Sequence, residues 1–537
     1  MTPKRTVADA IAGTLKTYGA EWAFGIPGND VLELIRACEE AGIRFVLAKS
    51  EPSAAFMADA VYQVTGKPTV LIPALGPGLA NAISGIAGAT QERSALIVLG
   101  GEMATRQMGI YTHQVFDHVA LATPVTKLAM TLNPSRAAQQ TAKALDTALA
   151  YPAGSVLLNC PADYGRAPSE EPVCAPPRRL PAALDASAVE TGRTLLGHAK
   201  RPLALIGRGA VRDGVDAPLR AFIEARQMPV LTTYKAKGTL DEHHALAVGS
   251  LGLSPIIDAV TMNLIGEADL LVLIGFDPIE LRDAWIDAWP ADRAVLSLDW
   301  GPLPHRMFPT GTEVFGDLPT ILADLTGSGA GAWPRARLDA HRAEIAGIVR
   351  PRVPSAGISP AALFKAVSDR VRPDWLMTVD VGAHRILANH AVLCRTPGQL
   401  IQSNGLCHMG YALPAAIGAA LAKPGRPVVA LIGDGSLLMS LGELAVAAER
   451  NLPIVVVVLD DQALALIKLK QAKMQMAPRA VDFAGARFDR LARGFGIEGC
   501  RVGSLADFEQ AFDAALRSGQ PAVIDAFIDP SEYWEQM

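Results

Sequence analysis

Little in this chain of 537 residues points to secretion, to nucleic acid or to a membrane. It has only six cysteines, Cys38, Cys160, Cys174, Cys394, Cys407 and Cys500, and no two of them form a CxxC pair. Neither a zinc site nor a disulfide framework is indicated, and free thiols in a reducing cytoplasm are the simpler reading. A net charge of −5 offers no basic surface for nucleic acid. The start, Met1-Thr2-Pro3-Lys4-Arg5-Thr6-Val7, lacks the apolar core of a signal peptide. Long runs of strong hydrophobes are missing as well. Two uncharged stretches, Pro68–Thr90 and Gly405–Ala422, contain proline and several glycines, so buried α/β core explains them better than membrane spans. The expectation is a soluble cytoplasmic protein with no nucleic-acid or membrane partner.

The chain is rich in hydrophobic residues, at 50%, with 19% charged, which fits a large globular enzyme. Its length implies several domains. Two Pro/Gly-rich linkers divide it. One runs from Gly165-Arg166-Ala167-Pro168 to Pro177-Arg178-Arg179-Leu180-Pro181. The other runs from Gly327-Ser328-Gly329-Ala330-Gly331 loosely to Pro351-Arg352-Val353-Pro354. Each block alternates short apolar runs with helical patterns. The first has Arg44–Leu47, Thr69–Ile72 and Ala95–Leu99; the second has Leu203–Ile206, Leu270–Ile274 and Ala294–Leu298; the third has Val428–Ile432, Ile454–Leu459 and Ala522–Phe527. Apolar runs without strict alternation read as strands buried on both faces, and strands alternating with helices imply parallel sheets. The fold class is therefore α/β, with three domains of parallel sheets flanked by helices. Ser359-Pro360 reads as an N-cap followed by proline at the first helical position. Leu437, Leu441, Leu444 and Ala448 are spaced as one apolar helix face.

The strand Val428–Ile432 ends in Gly433-Asp434-Gly435-Ser436. A second strand ends in Asp460-Asp461-Gln462, placing Asp461 27 positions after Asp434. Strand ends of a parallel sheet face one crevice, so the two acids can converge. Two carboxylates, glycine backbone and a serine hydroxyl suit Mg²⁺ carrying a diphosphate. The alternative is an ordinary βαβ unit with acids at exposed strand ends.

This stretch resembles the diphosphate-anchoring motif of thiamine diphosphate (ThDP) enzymes, in which Gly-Asp-Gly is followed after roughly 27 residues by Asn. Here the second acid stands in place of that Asn. Ser50-Glu51-Pro52-Ser53-Ala54-Ala55-Phe56-Met57-Ala58-Asp59-Ala60 is similar to the same family's His-Glu-x-x-Ala-x-x-x-Ala-Asp pattern, and Gly76-Pro77-Gly78-Leu79-Ala80-Asn81 follows it. Phe24-Gly25-Ile26-Pro27-Gly28 resembles its opening strand and turn. Ser403–Gly418, with Leu406, His408 and Met409, looks like its Gly-x-x-x-Met-Gly-x-x-Leu-Pro-x-Ala-x-Gly segment. Asp380-Val381-Gly382-Ala383-His384 resembles a further element. The matches keep the family's order and cover nearly the whole chain. The nearest subfamily holds acetolactate synthases, benzoylformate decarboxylases and pyruvate decarboxylases.

The resemblance implies a pyrimidine-binding domain over 1–168, a Rossmann-like middle domain over 185–330 and a diphosphate-binding domain over 358–537. It assigns to Glu51, which read alone is a helix N-terminal acid, the hydrogen bond to the cofactor's pyrimidine ring that drives the imino tautomer able to take the thiazolium C2 proton. Cofactor binding falls to Pro27, Gly28, Asn81, His384, Leu406, His408, Met409, Gly433, Asp434, Gly435, Ser436, Asp461 and Leu464. The Mg²⁺ ligands are Asp434, Asp461 and Ala463. His113 and Gln114 are the candidate acid/base and its neighbour, where synthases have Phe-Gln and pyruvate decarboxylases His-His. Pyruvate decarboxylases have a catalytic Glu where Ile467 falls. The cofactor carries the hard chemistry. A 2-oxo acid loses CO₂, and the enamine is protonated to an aldehyde or adds to a second carbonyl. The alternatives are a ThDP-dependent C–C hydrolase, a 2-hydroxyacyl-CoA or oxalyl-CoA lyase, and a non-catalytic protein of the same fold. FAD or ADP is a further possibility for the middle domain, from Gly207-Arg208-Gly209-Ala210, Asp299 and Gly275-Phe276-Asp277-Pro278, though a bare Gly-x-Gly is weak. In the family Glu51 and Asp434 of one site come from different subunits, which implies a homo-oligomer, a dimer or a dimer of dimers.

Overall fold

The computed structural model describes residues 5–178, 183–327 and 331–536. Met1–Lys4, Arg179–Pro181 of the first linker and Ser328–Ala330 of the second lie outside the described residues. Three six-stranded sheets follow one another along the chain. The first contains β1 (Trp22–Gly25), β2 (Arg44–Leu47), β3 (Thr69–Ile72), β4 (Leu96–Glu102), β5 (Leu128–Thr131) and β6 (Val156–Pro161). The second contains β7 (Pro202–Ile206), β8 (Val230–Thr233), β9 (Ala247–Leu251), β10 (Leu270–Ile274), β11 (Val295–Asp299) and β12 (Thr312–Phe315). The third contains β13 (Leu376–Val379), β14 (Leu400–Gln402), β15 (Val428–Gly433), β16 (Ile454–Asp460), β17 (Glu498–Val502) and β18 (Ala522–Phe527).

Strand order is β2-β1-β3-β4-β6-β5, then β12-β11-β10-β7-β8-β9, then β14-β13-β15-β16-β18-β17, and the pairings within each sheet are parallel. Each order reverses once near its middle: between β1 and β3, between β7 and β10, and between β13 and β15. At each reversal the loops after two strands diverge and leave a crevice at the carboxyl ends. Three crevices thus arise from one topological rule, and each must be filled or used.

The central strands β10, β15 and β16 are buried along their length, as apolar runs without alternation require. The two uncharged stretches are mostly buried helix. Helix Pro77–Gln91 packs on helix Glu51–Thr65, which also packs on helix Ala412–Ala422. Small residues permit this approach: a Cβ on Gly85 would stand 2.5 Å from that of Ala55, and one on Gly418 would run into the Met57 carbonyl. One apolar core is therefore shared by the first and third domains. Among the described residues no helix is long and apolar enough to cross a membrane.

Ser359 caps helix Pro360–Arg370, its hydroxyl accepting from the Ala362 amide at 3.1 Å, as the Ser-Pro pair indicates. The expected single helix after Asp434 is instead two helical segments, Asp434–Ser440 and Leu444–Glu449, joined by a 3₁₀ turn over Leu441–Glu443. The apolar face survives, with Leu437 and Leu444 buried, but the turn points Glu443 into the first domain.

Candidate active site

The crevice between β13 and β15 opens into a cavity of about 120 Å³. Loops after three strands build it: Val381, Gly382 and His384 after β13, Gly433 to Ser436 at the end of β15, and Asp461, Ala463 and Leu464 after β16. Met409, Leu466, Ile467 and Tyr533 complete the wall. The cavity thus gathers nine of the residues singled out in the sequence: His384, Met409, Gly433, Asp434, Gly435, Ser436, Asp461, Ala463 and Leu464.

Asp434, which is buried, and Asp461, which is half-buried, face this space as a pair of acids. Asp434 accepts from the Gly435 amide at 2.7 Å and the Gln462 amide at 2.6 Å, and Asp461 accepts from the Ala463 amide at 3.1 Å. Burial, then like charge from Asp461 and Asp460, holds the Asp434 carboxyl well above the usual carboxylate range. Asp461 is raised as well, by burial and by Asp460. Acids this crowded call for a cation. The Asp461–Ala463 turn is firm: Gln462 adopts a left-handed φ of 58°, and the Leu464 amide donates to the Val481 carbonyl at 2.8 Å.

The remaining wall also fits an anionic cofactor with an apolar body. His384 Nε2 and Tyr533 Oη are buried with no hydrogen-bond partner among the described residues. Burial, then the Arg385 guanidinium, pushes the His384 imidazole down to about 3, so the ring is neutral. Glycine is needed beside it, because a Cβ on Gly382 would stand 2.7 Å from the ring and one on Gly433 3.1 Å. A Cβ on Gly435 would press on Leu464 at 3.2 Å and narrow the cradle. The donor set of two carboxylates, unpartnered polar atoms and glycine backbone fits Mg²⁺ and a diphosphate.

Glu51 does not line this cavity. It opens helix Glu51–Thr65 behind the N-cap Ser50, and its Oε2 accepts from the Asn81 amide at 3.3 Å. Gly78 lies beneath it, where a Cβ would stand 3.7 Å from Glu51 Oε1. Next to Gly78 in the same turn, Gly76 packs on the Gln114 backbone. Glu51, Asn81 and the His113-Gln114 loop therefore share one face of the first domain, at the crevice between β1 and β3. Pro27 and Gly28 edge the same crevice, with Gly28 against Ala74. His113 and Gln114 are exposed, and Gln114 has a left-handed φ of 61°. Leu406 is also exposed. His408 packs on Phe56 with ring centroids 4.7 Å apart, so it serves the contact between the first and third domains. Within one chain the sequence candidates thus form two separate groups.

Two site features, Tyr533 and Glu443, escaped the sequence reading, and a third, Asp380, stood in a quoted motif with no role assigned to it. Tyr533 comes from the far C-terminal end, where no motif marks it. Asp380 is buried and accepts from the Gly410 and Ala412 amides at 3.1 and 2.8 Å, fixing the turn after Met409. Glu443 accepts from the Lys49 amide at 3.1 Å and the Ser50 amide at 3.0 Å, pinning the residues just before Glu51. Burial pushes the Glu443 carboxyl up to about 7. A raised acid keeps its proton in the folded state while the unfolded chain has lost it. Its contribution to stability is therefore full at low pH and declines as pH rises through about 7. Glu443→Gln should accordingly gain stability relative to wild type between pH 5 and pH 8, by a few kcal/mol at roughly 1.4 kcal/mol per pH unit. Paired thermal melts across that range check this, and a difference that does not change with pH contradicts it.

Beside the strand ends of the second sheet lies a cavity of about 620 Å³ whose lining includes Tyr151, Arg208, Gly209, Arg212 and Asp277. The Gly209 amide donates to the Gly275 carbonyl at 2.8 Å, and a Cβ on Gly209 would stand 2.7 Å from Gly275 Cα. These glycines serve the packing of one loop on another. Asp299 accepts from the Tyr151 hydroxyl at 2.6 Å and the Trp300 amide at 2.7 Å, and Asp277 pairs with Arg93 at 2.8 Å. Both hydrogen bonds to Asp299 fall on Oδ1, so its Oδ2 carries neither of them.

The comparisons with known proteins follow the same three-part division. Residues 5–121 match the N-terminal TPP binding domain of thiamine pyrophosphate enzymes, 189–325 their central domain and 380–526 their C-terminal TPP binding domain. The chain is 30% identical over 543 residues to the acetolactate synthase isozyme 1 large subunit of Escherichia coli (strain K12), covering 99% of this chain and 95% of that protein. It is 29% identical over 542 residues to an acetolactate synthase of Bacillus subtilis (strain 168), covering 98% and 94%. A third relative, the acetolactate synthase isozyme 2 large subunit of Escherichia coli (strain K12), is 27% identical over 533 residues, with 98% and 96% covered.

Proposed function

The chain belongs to the thiamine pyrophosphate enzyme family, and from that premise we propose that it is an acetolactate synthase-like carboligase, joining a 2-oxo acid to a second carbonyl compound with loss of CO₂. The observation that carries this reading is the cavity at the β13–β15 crevice, where a cation-demanding pair of acids sits against an apolar wall. Bound thiamine diphosphate supplies a carbon nucleophile and an electron sink for decarboxylation.

This chain's residues bind, orient and move a proton. Asp434, Asp461 and the Ala463 carbonyl would hold Mg²⁺, with Gly433, Gly435, Ser436 and His384 around the diphosphate. Met409 and Leu464 would support the apolar body of the cofactor. Leu464, Leu466 and Ile467 make this part of the wall apolar, with Ile467 where pyruvate decarboxylases carry a catalytic Glu, and loss of that acid favours capture of the reacting carbon by a second carbonyl over protonation to free aldehyde. Glu51 would exchange a proton through its carboxylate, held in place by Asn81. His113 and Gln114 would approach from the same face of the first domain. Because Glu51 lies outside the Asp434 cavity of its own chain, the complete site calls for two copies, each giving one group of residues.

The test is product analysis by mass spectrometry with ThDP, Mg²⁺ and a panel of 2-oxo acids, with and without an aldehyde or second keto acid. A 2-hydroxyketone is the expected product. Free aldehyde alone means a decarboxylase. Absence of CO₂ from every acid favours the hydrolase or acyl-CoA lyase reading.

A further inference from the structure

Helix Pro77–Gln91 begins at the Gly76 turn beside Glu51 and ends at Glu92. Glu92 is 2% exposed, and its carboxylate meets groups from both other domains. Oε2 pairs with Nζ of Lys235, itself 5% exposed, from the loop after β8. Oε1 accepts from the backbone amides of Asn404 and Gly405, the latter at 3.1 Å. Lys235 Nζ also donates to the Gln402 carbonyl at 3.0 Å. The segment lies directly on the helix end, since a Cβ on Gly405 would stand 2.5 Å from that of Gln91.

A buried ion pair is a poor device for stability alone, because desolvation offsets most of the attraction. This one does something an apolar pair cannot. Its two side chains fix three backbone groups of one short segment: the Gln402 carbonyl and the Asn404 and Gly405 amides. Four residues further along is Met409, in the cavity wall. The far side of the loop is tied down separately, where Asp380 accepts from Gly410 and Ala412. The Asn404–Met409 segment is therefore clamped at both ends, by Asp380 of its own domain and by Glu92 and Lys235 of the other two.

We infer that Glu92 is a positioning residue: with Lys235 it sets the placement of the Asn404–Met409 loop, and through it the affinity of the cavity for thiamine diphosphate. The inference rests on the reading above that this cavity holds the cofactor.

The experiment compares two double variants of the full chain. Glu92→Gln/Lys235→Met removes both charges but keeps a carbonyl to accept from Asn404 and Gly405. Glu92→Ala/Lys235→Met removes that acceptor too. ThDP affinity of the apoprotein is read by calorimetric titration with Mg²⁺ present, well below each melting temperature. The glutamine variant should bind within about threefold of wild type, and the alanine variant roughly tenfold or more weakly, as for outer supports of a bound group. Equal affinities in the two, whatever their melting temperatures, overturn the inference, since a purely structural contact lowers stability without moving affinity. If the alanine variant does not fold, Glu92→Asp substitutes for it. It keeps the charge but withdraws the oxygens by one methylene, so the same tenfold loss is expected, and wild-type affinity overturns the inference. Asp434→Ala in the same titration separates the claims. If it binds ThDP normally, the reading of the cavity fails; if it loses ThDP while the alanine variant does not, only the role of Glu92 fails.

Discussion

Asp434→Ala should weaken ThDP binding in the presence of Mg²⁺ by roughly 100-fold or more, since loss of outer-shell support alone typically costs 10–100-fold. Asp434 is the residue on which the cavity turns. It sits at the end of β15, accepts from the amides of Gly435 and Gln462, and faces Asp461 in a buried space. Without a cation this arrangement is unfavourable, which is why both carboxyls are raised. The apoprotein should therefore respond unlike the complex. Removing one buried acid relieves repulsion but leaves two amides unpaired, each worth about 1–3 kcal/mol. These effects oppose each other, so the melting temperature of the apoprotein should move by only a few degrees. In wild type, ThDP with Mg²⁺ should raise the melting temperature by mass action; in Asp434→Ala that rise should vanish. Paired melts with and without the cofactor decide the matter. A variant that still gains stability from ThDP removes Asp434 from the site. Asp461→Asn, which keeps an oxygen while removing one charge, should retain most of the effect.

Glu51→Gln should separate binding from chemistry. The substitution preserves shape, the helix start behind Ser50 and an oxygen for the Asn81 amide. It removes the only function proposed for this carboxylate, exchange of a proton. Turnover should fall by about 10²–10⁴-fold, the usual weight of a positioned acid/base. ThDP affinity should stay within a few-fold of wild type. Glu443, pinning Lys49 and Ser50, keeps the backbone in place in either form. Steady-state kinetics together with calorimetric titration check both halves. Unchanged turnover removes Glu51 from the chemistry, and a large loss of affinity makes it a binding residue instead.

The three sheets were legible because their central strands are buried on both faces and so read as unbroken apolar runs, Leu270–Ile274 being an example. The diphosphate side of the site was legible for a related reason. β15 and β16 are adjacent parallel strands, so Gly433 to Ser436 and Asp461 at their carboxyl ends lie side by side. Contacts across hundreds of residues left no local mark. Glu443 reaches an amide 394 positions away, and to do so it breaks the helix that the spacing of Leu437, Leu441, Leu444 and Ala448 had led one to expect. Glu92 and Asn404 are 312 positions apart. Tyr533 has no motif around it. The glycines of Gly207-Arg208-Gly209 show the opposite case. A phosphate-loop pattern was readable, but the residues serve packing against Gly275.

The central claim is that one working site is assembled from the Glu51 face of one copy and the Asp434 cavity of another. Mixing separately purified Glu51→Gln and Asp434→Ala proteins under conditions that allow subunit exchange tests it most directly. Each alone should be nearly inactive. Random reassortment makes half the dimers mixed, and each mixed dimer has one site with both residues intact, so activity should return to about a quarter of wild type. No recovery, with exchange confirmed by a tag on one variant, would contradict the account and place both residues in the same chain's site.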